Sequence, residues 1–110
     1  MDFSADHRRY GEHTIVALSG DIDVNTSQRL REVLIGLVDD GARSLIVDLD
    51  GVTFLDSTGL GVMVGISHRL RAANGTLAFA GGSDRVRNVF QVTQLTKIFP
   101  LHPTLERALC

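Results

Sequence analysis

The sequence predicts a single mixed α/β domain, spanning residues 1–110, with a central sheet of four to five strands. Short apolar runs alternate with segments of helical periodicity, which is typical of parallel strands joined by helical crossovers. A further strand-like segment near the N-terminus can pair with the next one as a hairpin, so the sheet is expected to be mixed. The chain has 110 residues, 44% of them hydrophobic, which suits one modest core and leaves no room for a second domain.

The first predicted elements are a hairpin and an amphipathic helix. Residues 13–19 are rich in apolar and β-branched side chains and are expected to form a strand, with residues 3–10 as its hairpin partner. Asn25 is the expected N-cap of the first helix, because Gln28 follows three residues later, and Gly41 marks the end of that helix. The apolar residues of this helix recur on one face and are Leu30, Val33, Leu34, Leu37 and Val38.

Two further strands flank the second helix. Residues 44–49 form a short apolar run, as expected of a central strand that is covered on both faces. The helix is predicted over residues 57–73 and is closed by the Asn-Gly pair at residues 74–75. The next strand is predicted over residues 76–80, and a glycine turn at residues 81–82 follows it.

The last predicted elements are a third helix, an edge strand and a terminal helix. The third helix is expected over residues 84–92, with Asp84 as its N-cap. Residues 97–100 are expected to form a final edge strand, which Pro100 ends. Residues 104–109 are expected to form a helix of little more than one turn.

The composition excludes several classes of function. The formal net charge is -2 and no run of Lys or Arg is long enough to form a cationic stripe, so direct binding to nucleic acid is not expected. The N-terminal residues lack the order of a secretory signal, and the longest apolar region, residues 54–66, is too short and too polar to span a membrane. A cytoplasmic protein is therefore expected. The single cysteine, Cys110, allows no internal disulfide.

The sequence contains no recognisable catalytic set. Ser57 does not lie in a G-x-S-x-G motif, the four histidines form no H-E-x-x-H pair, and no cluster of Cys and His indicates zinc. We therefore expect no enzymatic activity, no metal site and no cofactor.

The predicted helix over residues 57–73 has an unusual outward side. On this side Leu60 and Val64 would be exposed to solvent, and the interior glycines Gly61 and Gly65 would each cost about 1 kcal/mol of helix stability relative to Ala. Close approach of another backbone would explain the glycines, so we interpret this side as a docking surface for a partner protein. The alternative is that a loop or the C-terminal segment of the same chain covers it. The core side comprises Gly59, Val62, Met63, Ile66, Leu70 and Ala73. The outward side comprises Ser57, Leu60, Gly61, Val64, Gly65, His68 and Arg71.

Ser57 is predicted to lie at the start of this helix, as its N-cap. Amide N–H groups there lack intrahelical acceptors and attract anions, including a phosphate placed on the serine hydroxyl. Leu60 stands where a capping box would carry Glu or Gln, so no carboxylate from that position competes for the amides. Serine is also among the commonest N-cap residues, and a purely structural role is the alternative. The adjoining Asp56 and the glycines of the outward side favour a functional role for Ser57.

Three stretches of the sequence resemble one protein family. They are LSGDID at residues 18–23 followed by Thr26, VDLDGVTFLD at residues 47–56, and STGLG at residues 57–61. Together they resemble the STAS family, especially its stand-alone bacterial anti-sigma-factor antagonists, over nearly the whole chain and in the family's order. The resemblance implies the STAS fold, a mixed α/β fold whose helices pack mainly on one side of the sheet.

The resemblance also implies a switch that acts through protein partners. Ser57 would be phosphorylated by a serine kinase that is also the anti-sigma factor, and dephosphorylated by a metal-dependent serine phosphatase. The unphosphorylated antagonist would bind the kinase and free the sigma factor. Thr58 supplies a second hydroxyl, but the family pattern favours Ser57. The implied partner-binding residues are Asp23, Asn25, Thr26, Asp56, Ser57, Thr58, Gly59, Leu60, Gly61, Val64, Gly65 and His68.

A phosphate on Ser57 would act mainly through its charge. It adds a charge of about -1.5 to -2 beside Asp56, and Asp23 is expected close by. A partner that docks on Leu60, Gly61 and Val64 would then have to desolvate this charge, so its affinity is expected to fall about a hundredfold. We expect no refolding, because the helix N-terminus can accommodate the phosphate.

Two other functions stay open on the sequence. Gly59 and Gly61 begin a helix after a strand, which is a weak signal for nucleotide binding, although Val64 stands where the dinucleotide motif needs Gly or Ala. STAS modules also serve as regulatory parts of anion transporters, stressosome scaffolds and lipid-transport complexes. The absence of a predicted membrane span or second domain favours the stand-alone regulator.

Overall fold

Five strands form one sheet in the computed structural model, which describes residues 2–110, and they lie in chain order across it. The first pair is the antiparallel hairpin that the sequence predicts, and every later neighbour is parallel. The sheet is therefore mixed, as expected. The strands are β1 (Ser4–Tyr10), β2 (His13–Ile22), β3 (Ser44–Leu55), β4 (Thr76–Ala80) and β5 (Leu101–His102).

Three helices connect the parallel strands. Leu34 of the first helix, Met63 of the second and Phe90 of the third belong to one hydrophobic core on the sheet, as expected when crossovers of the same hand advance in one direction. This arrangement confirms the predicted packing of helices mainly on one side. The helices are α1 (Ser27–Asp39), α2 (Ser57–Ala72), α3 (Asp84–Val92) and the short terminal α4 (Leu105–Leu109), which contacts β3, β4 and β5.

The main core lies between the sheet and the crossover helices. Val16 and Val47 point into it from the central strands, and both are fully buried. The ring of Phe79 on β4 lies 5.0 Å from that of Phe90 and 5.1 Å from that of Phe99, measured between centroids. This aromatic cluster fixes α3 and the segment before β5 against the sheet.

Within residues 2–110, no helix combines the length and the apolar character that crossing a bilayer requires.

The central strands β2 and β3 are longer than predicted. Residues 50–55 were expected outside the strand because they are partly polar, yet β3 continues through them alongside β2. The pairing continues through two register shifts, at each of which β3 contains one residue more than β2. Gly51 permits the close approach, because a Cβ at this position would lie 2.8 Å from the carbonyl oxygen of Leu18.

The predicted N-caps of α1 and α3 are wrong by one residue. The cap of α1 is Thr26 rather than Asn25, because the Asp23 carbonyl accepts the amides of Thr26 (3.1 Å) and Ser27 (2.8 Å) in a turn that delays the helix. The cap of α3 is Ser83 rather than Asp84. Ser83 has extended backbone angles, and its hydroxyl accepts a hydrogen bond from the Val86 amide at 3.3 Å.

The predicted edge strand over residues 97–100 is also wrong. Residues Leu95–Lys97 form a 3-10 turn, and the strand begins only after Pro100. Two causes explain the shift. Phe99 is 1% exposed and is held against Phe79, and Pro100 has no amide hydrogen to donate to the edge of β4.

Candidate functional site

The candidate site lies where β2 and β3 end, at the same edge of the sheet. Ile22 and Leu55 pair across the two strands, and the Asp56 amide donates to the Ile22 carbonyl oxygen at 3.2 Å. This hydrogen bond holds the loop that follows β2 next to the start of α2. The predicted proximity of the Asp23 loop to Ser57 follows from this pairing.

Asp56, rather than Ser57, is the N-cap of α2. Its Oδ1 accepts hydrogen bonds from the Thr58 amide (2.9 Å), the Gly59 amide (3.3 Å) and the Thr58 hydroxyl (2.5 Å). Ser57 is the first residue inside the helix, and it is exposed. The predicted cap residue, Ser57, was therefore wrong by one position. Leu60 provides no competing carboxylate, as expected, but the carboxylate of Asp56 accepts two of the first amides.

The hydrogen bonds at this cap favour an ionised carboxylate. The bond from the Thr58 hydroxyl, helped by those from the backbone amides, lowers the pKa of Asp56, while partial burial acts in the opposite direction. Asp56 therefore carries its full negative charge at neutral pH, immediately before the Ser57 hydroxyl in the chain.

Local hydrogen bonds hold the loop after β2. The Asp23 carboxylate accepts from the Asn25 amide at 2.9 Å, and the Thr26 hydroxyl donates to the Asp21 carbonyl oxygen at 2.7 Å. Between them, Val24 is 70% exposed, the largest exposed fraction among the large hydrophobic residues described. Val24 is absent from the predicted contact residues, although an apolar residue among polar loop residues is a signal that could have identified it.

Leu60 and Val64 do not form the exposed apolar strip that the helical periodicity predicted. Leu60 is 6% exposed and belongs to the hydrophobic core, and Val64 is half-buried against it. The prediction assumed one buried side, whereas α2 contacts both α1 and β4. Leu60 is therefore buried, although it does not lie on the side of α2 that was predicted to face the core.

Gly59 is buried, as predicted for the core side, and it cannot itself form a surface contact. A Cβ at this position would lie 2.5 Å from Ile22 Cγ2 and 2.8 Å from Leu55 Cδ1. The glycine therefore allows the first turn of α2 to pack directly on the ends of β2 and β3.

Gly61 and Gly65 are exposed and line a groove of about 310 Å³ between α1 and α2. A Cβ at either position would meet no atom within 4 Å. The described residues 2–110 therefore cover Leu60 and part of Val64 on the outward side of α2, but they leave these two glycines uncovered. The predicted contact residue His68 is also exposed, on the same helix. The other groove residues are Arg31, Ile35, Val62, Ile66 and Arg69.

The chemistry available at this site is that of hydrogen bonding and charge. Within residues 2–110, no group of three or more His, Cys, Asp or Glu side chains is placed to hold a metal ion. The site presents two hydroxyl groups, on Ser57 and Thr58, next to the carboxylate of Asp56, and Asp23 lies in the loop that follows β2. The Ser57 hydroxyl makes no hydrogen bond within the described part of the chain, whereas the Thr58 hydroxyl donates one to Asp56.

Comparison with known proteins identifies similar chains of matching length. The family model for the STAS domain matches residues 4–108. An anti-sigma-B factor antagonist from Staphylococcus aureus is 36% identical over 91 residues, which cover 83% of this chain and 84% of the relative. The crystal structure of an anti-sigma factor antagonist from Mycobacterium paratuberculosis has a TM-score of 0.90 and 30% identity, and covers 98% of this chain and 92% of that one. The structure of the phosphorylated form of SpoIIAA, a Bacillus cell fate determinant, has a TM-score of 0.73 and 25% identity. The match covers 98% of this chain and 96% of SpoIIAA.

Proposed function

The chain belongs to the STAS domain family, and from this premise we propose that it is an anti-sigma-factor antagonist switched by phosphorylation of Ser57. In its unphosphorylated form it binds a kinase-type anti-sigma factor and releases the sigma factor. The kinase phosphorylates Ser57, and a metal-dependent serine phosphatase reverses the modification. The exchange takes place in the cytoplasm.

The exposed Ser57 hydroxyl at the start of α2 is the observation that carries the proposal. It is accessible, makes no hydrogen bond within residues 2–110, and follows the ionised Asp56. The names of the relatives support the antagonist role, and one similar structure is that of a phosphorylated protein.

Asp56 determines how a phosphate on Ser57 would act. Because its carboxylate already accepts the amides of Thr58 and Gly59, those groups are not free to neutralise a phosphate. The phosphate would add about two negative charges next to Asp56 and near Asp23. Its effect is therefore to create an anionic patch at the docking surface, with the fold unchanged.

We define the docking surface by the exposed and half-buried residues of three segments. These are the loop between β2 and α1, the connection between β3 and α2, and α2 itself. Because Leu60 is buried, it cannot provide the apolar contact that the sequence predicts. The exposed Val24 provides it instead. Val64 contributes only the part of its side chain that is exposed. The remaining members are Asp23, Asn25, Thr26, Asp56, Ser57, Thr58, Gly61, Gly65 and His68.

Phosphorylation mapping tests the modification directly. The protein is incubated with ATP and candidate anti-sigma kinases, and the modified residue is identified by mass spectrometry. We expect one phosphate, on Ser57, which is retained in the Thr58→Val variant and lost in Ser57→Ala. Phosphate on Thr58 or elsewhere would contradict the proposed switch.

The two exposed glycines of α2 give a second test of the docking surface. Each helix-interior glycine costs about 1 kcal/mol relative to Ala, and neither Gly61 nor Gly65 has a positive φ or a neighbour that requires glycine. Leucine at either position should therefore keep or raise the free energy of unfolding. If the partner approaches α2 closely, the same change should weaken its binding roughly tenfold.

Gly36 is the matched control for this test. It lies inside α1, a Cβ there would also meet no atom within 4 Å, and it does not line the groove. Binding to the kinase, measured by titration calorimetry, should be unchanged in Gly36→Leu and weakened in Gly61→Leu and Gly65→Leu. Equal binding by all three variants would show that the partner does not contact the groove.

A further inference from the structure

A second cavity lies far along α2 from Ser57, beside the outer edge of β4. Its volume is about 370 Å³, within the range of small-molecule sites. The sheet is incomplete at this edge, since β5 pairs only with Phe79 and Ala80 and leaves the first half of β4 without an outer strand. The lining residues are Ser67, Arg71, Gly75, Thr76, Leu77, Ala78, Ile98 and Pro100.

Ser67 supplies a polar atom that the fold itself does not use. The residue is 6% exposed, and its hydroxyl has no hydrogen-bond partner among residues 2–110. No fully buried side-chain nitrogen or oxygen atom in this part of the chain lacks a partner, so the Ser67 hydroxyl must reach the open space of the cavity. A nearly buried hydroxyl without a partner is costly unless water or a ligand satisfies it.

Two further hydrogen-bond donors face the same space. The amides of Phe79 and Gly81 donate outward, to the carbonyl oxygens of Pro100 (2.9 Å) and His102 (3.0 Å), so the amide of Leu77 points to the same side by strand alternation. Among residues 2–110, no strand pairs with the outer side of β4 at the Leu77 amide. Arg71 forms no ion pair within residues 2–110, and the cavity lining contains no carboxylate.

We propose that this cavity binds a small amphipathic carboxylate. The apolar body would contact Ala78, Ile98 and Pro100, and the carboxylate would accept hydrogen bonds from the Ser67 hydroxyl, the Leu77 amide and the Arg71 guanidinium. Arg71 has no carboxylate partner in the described part of the chain, and the Ser67 hydroxyl and the Leu77 amide lie beside the same apolar surface. These groups favour an anionic ligand over a neutral one. The proposal is independent of the phosphorylation of Ser57.

The probe for this site is 4-phenylbutyrate, and the matched neutral probe is 4-phenylbutan-1-ol. Titration of the ¹⁵N-labelled full chain, followed by amide chemical shifts, should give saturable changes at Ser67, Arg71, Leu77 and Ile98 with a Kd of about 1 mM or tighter. The alcohol should bind roughly tenfold more weakly, because it lacks the charge.

Variants identify the groups responsible. Arg71→Gln should weaken binding of the acid roughly tenfold and remove its advantage over the alcohol, and Ser67→Ala should weaken it several-fold. Arg69→Gln is the control, because Arg69 lies on the same helix but lines the other groove and contacts Asp39 at 3.5 Å. Absence of saturable shifts, equal binding of acid and alcohol, or equal loss in the Arg69 and Arg71 variants would overturn the proposal.

Discussion

Replacement of Ser57 by Asp is expected to weaken binding of the anti-sigma kinase about a hundredfold, whereas Ser57→Ala should bind as the unmodified protein does, even with ATP present. The carboxylate would stand next to Asp56, which the Thr58 hydroxyl and the local amides keep ionised. Burial of two adjacent carboxylates in an interface is costly when no cation compensates them. Titration calorimetry with the purified kinase measures both affinities.

Ser57→Asn separates the effect of charge from the effect of size. Asn has nearly the same shape as Asp but no charge, so it should bind much more tightly than Ser57→Asp. Circular dichroism of all three variants should be the same, because Ser57 is exposed and contributes no side-chain cap. If Asn and Asp weaken binding equally, steric blocking rather than charge would explain the switch.

Gly59→Ala is expected to lower the free energy of unfolding by about 2 kcal/mol. The added methyl group would come within 2.5 Å of Ile22 Cγ2 and 2.8 Å of Leu55 Cδ1, so the first turn of α2 would have to move away from the sheet. Urea unfolding followed by circular dichroism measures the change.

Gly61→Ala is the control for this prediction. It makes the same chemical change two residues further along α2, where a Cβ meets nothing within 4 Å, and should raise the free energy of unfolding by up to about 1 kcal/mol. Opposite signs at the two positions would support the close packing of Gly59 on Ile22 and Leu55. A Gly59→Ala protein as stable as the parent would contradict this prediction, because it would mean that a methyl group fits between α2 and the strand ends.

The sequence predicted most elements because local signals and the final packing agree. The helix over Asp84–Val92 and the strand over Thr76–Ala80 have the expected bounds. The polar extension of β3 could not be predicted from periodicity, because it depends on pairing with β2 and on the space at Gly51. The short β5 depends likewise on the distant contact between Phe99 and Phe79.

The errors at the site have a common physical origin. Helical periodicity describes one buried side, but Leu60 is buried because α2 has neighbours on more than one side. Asp56 and Ser57 are both good caps, and the sequence alone does not decide between them. The extended backbone of Asp56 and its bond to Ile22 decide it in the folded protein.

The hydrogen bonds that secure the segment from Asp23 to Thr26 also bear on the kinetics of partner exchange. A loop that is held by its own hydrogen bonds loses less conformational entropy on association than a mobile one. Recognition can then proceed without a preceding rearrangement of this chain. For the proposed switch, we therefore expect association with the kinase to need no slow conformational step in the antagonist.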